Sequence, residues 1–452
     1  MDASNSMEQH STATPHPVTL AQAFFYWLKL GFISFGGPAG QIAIMHHDLV
    51  EKKRWISEKR FLHALNYCMV LPGPEAQQLA TYIGWLMHRS LGGIIAGGLF
   101  VLPSFFILVG LAWIYMVFGS LPAVAGVLYG IKPAVVAIVL FAAYRIGSRA
   151  LKNGVLWAIS ASAFIAIFVF KTPFPLIVLA AGLIGYLGGY KSPQHFKIGG
   201  SHGAVQKDYG PALIDDDTPT PAHAIFSWGK FWTVLVVGVL LWALAMSALI
   251  LMYGWRSTYS QMAWFFSKAA LLTFGGAYAV LPYVYQGAVE NHHWLNATQM
   301  IDGLALGETT PGPLIMVVTF VGFVGGWSNQ VFGVNAAFAS ALLAATIVTF
   351  FTFLPSFIFI FMGGPFIETT HGNLKFTAPL SAITAAVVGV IVNLALFFAY
   401  HVFWPHGLSG LIDWASILLA LLATIALFRF KLTVVPIILS CGVLGMLWKL
   451  LI

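Results

Sequence analysis

The sequence predicts an all-α polytopic membrane protein of two homologous halves, read as inverted repeats, with discontinuous helices at Phe-Gly-Gly and Pro-Gly-Pro motifs. Three observations predict it. The 452 residues are 59% hydrophobic and only 8% charged, against about 25% charged in a soluble chain. Apolar stretches long enough to cross a bilayer recur along nearly the whole chain. One motif block occurs twice: Phe35 and Phe274, Trp55 and Trp294, and Pro72 and Pro311 are each 239 residues apart, with no gap between. Gly/Pro interruptions at corresponding places in two apolar halves are the sequence mark of a transporter's binding site.

Taken in order, residues 1–19 form a polar tail without a basic n-region or isolated apolar core, so no cleavable signal peptide is expected. The first repeat occupies 20–190, with spans near 20–47, 61–88, 91–118, 123–148, 153–170 and 173–190. Each meets the requirement of about 20 residues for roughly 30 Å of hydrocarbon. A polar linker, 191–228, carries Gly199-Gly200 and Asp215-Asp216-Asp217. The second repeat, 229–452, adds one leading span, near 230–253, before spans near 260–287, 299–326, 333–363, 379–404, 409–428 and 432–451.

Leu102-Pro103-Ser104-Phe105 recurs as Leu354-Pro355-Ser356-Phe357 at an offset of 252, which puts a 13-residue insertion in the second half near 325–333. If every span crosses, seven crossings separate the repeat starts, and an odd number inverts the halves. The basic cluster Lys52-Lys53-Arg54 with Lys59 and Arg60 then falls on the opposite side from Arg145, Arg149, Lys152 and Lys191, against the positive-inside rule. A re-entrant turn at each Pro-Gly-Pro would reconcile them, at eleven crossings and parallel halves. Thirteen crossings and inversion is the expectation carried forward.

The breaks carry the chemistry. Gly36 and Gly37 end one helix and Pro38 can open another; a helix start presents free N–H groups and partial positive charge. Gly275 and Gly276 repeat the pair, with Ala277 in place of the proline. Close packing of helices at small residues is the alternative reading. At Pro72-Gly73-Pro74, Glu75 falls in the first turn of the next helix, with Gln77 and Gln78 along it. The second copy is Thr310-Pro311-Gly312-Pro313, where Glu308 precedes the break. A structural kink is the simpler alternative, but two prolines and an acid in an apolar span are expensive unless used.

Ser34 and Thr273 directly precede the Phe-Gly-Gly motifs and join the candidate substrate-binding set, as do Lys29 and Lys268, which recur at the same offset. Snorkelling to an interface is the alternative for both lysines. Glu75 and Glu308 are the candidate proton-coupling groups, because a buried carboxyl can titrate far from its usual range.

Other features read more plainly. Glu51 and Glu290 with Trp55 and Trp294 form interfacial anchors, and His46-His47 and His292-His293 are interfacial, with only Asp48 as a near acid. No metal site follows from them. Cys68 and Cys441 read as buried free thiols. The net charge of +7 is spread over loops, which argues against nucleic-acid binding and for an orientation signal with mild attraction for anions. No Walker A motif, dinucleotide fingerprint or zincin motif is present, so no cofactor is expected, no enzyme is predicted, and transport would run on an ion gradient or the membrane potential.

The run 35–85, from Phe35-Gly36-Gly37-Pro38 to Leu71-Pro72-Gly73-Pro74-Glu75 and beyond, closely resembles the chromate ion transporter family. So do Thr273-Phe274-Gly275-Gly276 and Gly307-Glu308-Thr309-Thr310-Pro311-Gly312-Pro313. The similarity covers roughly 20–450 and is to the long type with both halves in one chain. It implies a multi-pass protein of the bacterial inner membrane that exports chromate, a sulfate-like dianion, using the proton-motive force and so confers chromate resistance. Chromate, possibly with sulfate, protons and the lipid bilayer are the expected partners, with a homodimer as a possible assembly. An uncoupled anion channel or uniporter, or a transporter of sulfate or another oxyanion, is the alternative.

Overall fold

The computed structural model describes residues 15–196, 209–370, 377–407 and 409–451. Among them it is built of helices, with one isolated bridge between Ile56 and Ile214. The first half runs α1 (Leu20–Ile33), α2 (Gly37–His46), α3 (Glu58–Val70), α4 (Glu75–Phe118), α5 (Pro122–Ala150), α6 (Gly154–Phe168) and α7 (Phe174–Lys191). After α8 (Trp228–Tyr253), the second half runs α9 (Thr258–Leu272), α10 (Ala277–Tyr285), α11 (Ala297–Thr309), α12 (Val317–Asn329), α13 (Ala337–Thr370), α14 (Thr377–Phe403), α15 (Trp414–Phe428) and α16 (Val434–Leu451). Among the described residues, seven helices are long and apolar enough to cross a membrane. The chain is a multi-pass membrane protein.

The repeat extends to backbone detail. α2 and α10 each run into a π-helical turn, His47–Lys52 and Gln286–Asn291, again 239 residues apart. The residues after those turns that take left-handed backbone, Arg54 and His293, keep the same spacing. Between α12 and α13 the second half has a loop over 330–336 where the first half has only a sharp reversal inside α4. That seven-residue loop is part of the 13-residue insertion that the shifted offset requires, the rest of which falls in the helical turns flanking it.

The reversal inside α4 lies at His88 and Arg89, whose backbone is non-helical. Gly84 meets Gly92 and Ala96 across it, so the two parts of α4 lie against each other. Four stretches read from hydropathy as single crossings are therefore built differently. Segments 20–47, 61–88, 260–287 and 299–326 are each two short helices around a break, and the chain turns back at the break. Helices of 13 to 15 residues such as α1, α3, α9 and α11 span only about 20 Å, short of a bilayer core. Tyr26 of α1 meets Trp55, just past α2, with ring centroids 5.0 Å apart, and Tyr67 of α3 meets Tyr82 of α4 at 6.0 Å. In the second half, Phe265 stacks on Tyr283 at 4.6 Å and touches Trp294 at 5.6 Å, while Gly303 of α11 lies under the Phe320 ring of α12.

The open ends of the first two hairpins gather at one end of the molecule. There His88 bonds the Val18 carbonyl, Arg60 bonds Glu368, and Asn153 bonds the His195 carbonyl. Basic residues that strict alternation kept apart thus share this end, because the hairpins do not cross. Linker residues 209–227 lie over it as a strap: Leu213 and Ile214 bond backbone to Arg54 and Trp55, Asp216 accepts from Ser57 at 2.6 Å, and His223 bonds the Trp85 carbonyl at 2.9 Å. His46 also differs from expectation, since it has two acid partners, Glu58 at 2.5 Å and Glu51 at 3.2 Å. At the other end, Tyr253 meets Tyr259, Tyr259 bonds the Ser340 carbonyl, and Gly325 lies against Trp294.

Helices outside the hairpins are exchanged across the repeat. α5 packs against α15 and α16, and α14 packs against α6 and α7. Small residues permit the approach: a Cβ on Gly130 would fall 2.0 Å from the Cys441 carbonyl, and one on Gly185 2.7 Å from the Ala378 carbonyl. Cys68 and Cys441 are buried free thiols.

Candidate functional site: the crossed breaks

The breaks of one half meet the breaks of the other. The Gly73 N–H donates to the Thr273 carbonyl at 2.7 Å, and the Gly312 N–H donates to the Ser34 carbonyl at 2.8 Å. Gly73 corresponds to Gly312 and Ser34 to Thr273 at the repeat offset, so the two bonds are repeat equivalents. Each turn also faces the Leu-Pro-Ser-Phe serine of the other half: Gly73 lies beside Ser356 and Gly312 beside Ser104. Gly36, Gly37, Gly73, Gly275, Gly276 and Gly312 all take positive φ, where other residues are strained. That backbone requirement explains why glycine stands at both copies of each break.

The symmetry of the backbone is not carried into the side chains. In the first half Gln41, Gln77, Gln78 and Thr81 surround the crossing; their repeat equivalents are Val280, Met316, Val317 and Phe320. Gln41 donates to the Gly312 carbonyl at 2.5 Å and the Ser34 carbonyl at 3.2 Å. Gln78 donates to the Pro72 carbonyl at 2.8 Å, and Gln77 to the Thr81 hydroxyl at 3.0 Å. Ser34 Oγ, Gln41 Oε1, Gln77 Oε1, Gln78 Oε1 and Ser104 Oγ are buried without a hydrogen-bond partner. Each such group costs about 1–3 kcal/mol if nothing fills the gap. Hydroxyls rotate, so Ser34 and Ser104 can turn a donor toward a polar guest, while the three amide oxygens, whose NH2 groups are already engaged, can only accept.

The acids sit on either side. Glu75 opens α4 directly after the first Pro-Gly-Pro turn, where the helix dipole supports a carboxylate. Glu308 lies near the end of α11, before the second turn, and accepts a hydrogen bond from the Tyr278 hydroxyl. Thr310 bonds back to the Gly307 carbonyl at 2.8 Å, and Pro311, Pro313 and Pro74 frame the turns.

Ser34, Pro72, Gly73, Gln78, Thr273 and Gly312 thus come together, with Gln77 adjacent. Lys29 and Lys268 do not join them. Both are exposed; Lys29 lines a groove of about 740 Å³ with Gln22, Tyr26, Asp48, Lys52 and Lys53, and Lys268 stands 5.4 Å from the Trp264 ring. A second charged cluster joins the halves away from the breaks: buried Asp302 of α11 accepts from Tyr115 at 3.1 Å and pairs with Lys132 of α5 at 3.6 Å. Sequence reasoning did not find Gln41, Ser104 or Ser356. The serines carried a signal, their repetition at an offset of 252; Gln41, single-copy within an apolar run, carried none.

A family model described as "Chromate transporter" matches residues 21–186 and 260–446. The chain is 32% identical to the "Chromate transport protein" of Pseudomonas aeruginosa over 98% of its own length and 96% of the relative's. It is 29% identical to the "Chromate transport protein" of Cupriavidus metallidurans, covering 95% and 93%. It is also 30% identical to the "Uncharacterized transporter YwrA" of Bacillus subtilis, over 38% of this chain and 96% of that one. No solved structure matches.

Proposed function

Because the chain belongs to the chromate transporter family, we propose that it exports chromate from the cytoplasm as a secondary transporter, with the oxyanion bound where the four breaks cross. The observation that carries this reading is the group of buried, unpartnered polar atoms around the reciprocal Gly73–Thr273 and Gly312–Ser34 bonds. A tetrahedral dianion offers acceptors in several directions and suits the two free serine hydroxyls together with the N–H groups at a helix start. Sulfate has the same charge and shape and should compete.

The end bearing Lys52, Lys53, Arg54, Lys59 and Arg60 is taken as cytoplasmic by the positive-inside rule. The halves are then inverted: the hairpins of α1–α4 open toward that end, while those of α9–α12 open toward the other. The supporting contacts are Arg60–Glu368 and His88–Val18 at one end, and Tyr259–Ser340 and Gly325–Trp294 at the other. Inverted hairpins meeting at mid-depth suit alternating access around a fixed site. A bacterial inner membrane, negative inside, already favours outward movement of a dianion by about 4.6 kcal/mol per 100 mV, twice the value for one charge. Glu75 or Glu308 takes up the coupling proton beside the site, and Lys29 gathers anions at the cytoplasmic groove. Resistance to chromate follows from its removal.

Uptake of labelled chromate into inverted vesicles, with and without a proton gradient and with sulfate as competitor, tests the reading. Saturable, gradient-dependent uptake blocked by sulfate is expected, and Glu75→Gln should lose the pH dependence first. Absence of uptake by folded protein under every gradient would refute chromate as substrate, and non-saturating flux indifferent to pH would mark a channel.

A further inference from the structure

A site built of serines and glutamines alone would bind a dianion with nothing to balance its charge. Lys29 and Lys268 are exposed elsewhere, and Lys132 is engaged by Asp302. One cation does reach the breaks. Arg145, near the cytoplasmic end of α5, places Nη2 4.0 Å from the point where a Cβ on Gly37 would stand. Its charge also reaches Tyr278 and Glu308, the hydrogen-bonded pair beside the second-half turns. It therefore stands beside the Phe-Gly-Gly turn of the first half, with the Tyr278–Glu308 pair of the second half within range of its charge.

We propose that Arg145 is the charged oxyanion ligand of the crossed site, gripping two oxygens of a tetrahedral dianion beside Gly37. The inference rests on the transport reading above and deepens it. Among the described residues, no carboxylate lies within 4.0 Å of Arg145, which is half-buried. The planar guanidinium suits bidentate capture of oxyanion oxygens, which an ammonium does not reproduce. The repeat equivalent of Arg145 is Phe397, whose ring packs on Tyr285 at 4.4 Å. The second half thus has no cation at the corresponding position, and Arg145 belongs to the half that also holds the glutamines. The site accordingly takes one oxyanion per chain.

The test uses the full chain in proteoliposomes, measuring KM and kcat for chromate, and in detergent, measuring the shift of Tm by sulfate. For Arg145→Gln the expected result is a KM raised at least tenfold, a sulfate-induced shift that disappears, and an unliganded Tm close to that of the parent. Arg145→Lys, which keeps the charge and loses the fork, should raise KM about threefold to tenfold. A KM within twofold of the parent in Arg145→Gln overturns the assignment. If that variant does not fold, a parental KM in Arg145→Lys overturns it instead. Parent protein that neither transports chromate nor responds to sulfate would overturn the transport reading itself, a failure visible before any variant is made.

Discussion

Gly73→Ala is the sharpest perturbation of the crossed breaks. Gly73 has φ +132, and a Cβ there would fall 2.5 Å from Gln78 Nε2 and 2.5 Å from Ser356 Oγ. Backbone strain at such an angle costs about 1–3 kcal/mol, and displacing the Gln78 and Ser356 side-chain ends adds to it. Taking about 3 kcal/mol against the crossed conformer, with tenfold per 1.4 kcal/mol, its equilibrium falls about a hundredfold. Gly312→Ala is milder: its Cβ would stand 3.0 Å from Ser104 Cβ and 3.3 Å from the Phe100 carbonyl, at φ +92. Backbone strain of about 1–2 kcal/mol predicts a loss near tenfold. Initial rates of chromate uptake, normalised to protein recovered in folded form, provide the assay. Removing the opposing hydroxyl with Ser356→Ala should restore part of the Gly73→Ala loss. Parental uptake by Gly73→Ala, or a heavier loss in Gly312→Ala, would refute the packing argument.

Other predictions follow from charges placed elsewhere. Lys132→Met leaves buried Asp302 without its cation and should destabilise the protein by about 3–5 kcal/mol; pairing it with Asp302→Asn should recover most of that in thermal unfolding. Lys29→Ala should raise the chromate KM at low ionic strength and converge on the parent at high salt, since steering by an exposed charge is screened. For the strap, burial, then the charges of Arg89 and Lys230, hold the His223 pKa below its usual 6.5, so the neutral ring is favoured in the docked state. Its contribution is present above pH 6.5 and is lost as pH falls through the lowered value. Proteolysis within 209–227 should therefore quicken on acidification, and His223→Phe should abolish that pH dependence.

The sequence made the breaks legible because their chemistry is local. Paired glycines and Pro-Gly-Pro stop helices whatever surrounds them, so α1 ends at Ile33 and α4 begins at Glu75. The offset change from 239 to 252 likewise located the loop at 330–336. Whether a break is crossed or turned back upon is a different matter. Two short apolar helices total one membrane span in either geometry, and hydropathy reads the same for both. The partners of Gly73 and Gly312 were equally hidden, since each lies in the other half and is bonded through backbone that any residue carries. Arg145 could not be told apart from the other span-end cations, because Gly37, which it approaches, lies in α2, far along the chain.

The reciprocal bonds also bear on the protein's genetics. Each turn borrows its acceptor from the opposite half, so neither half owns a complete site. Lesions at Gly73 and in the Thr273 carbonyl segment damage one junction and should be epistatic, the double no worse than the more severe single. Lesions at Gly73 and Gly312 strike separate junctions and should compound. Two polypeptides divided within the linker should then function together only when both are intact at the breaks, since a lesion in either half spoils a junction that the other cannot restore.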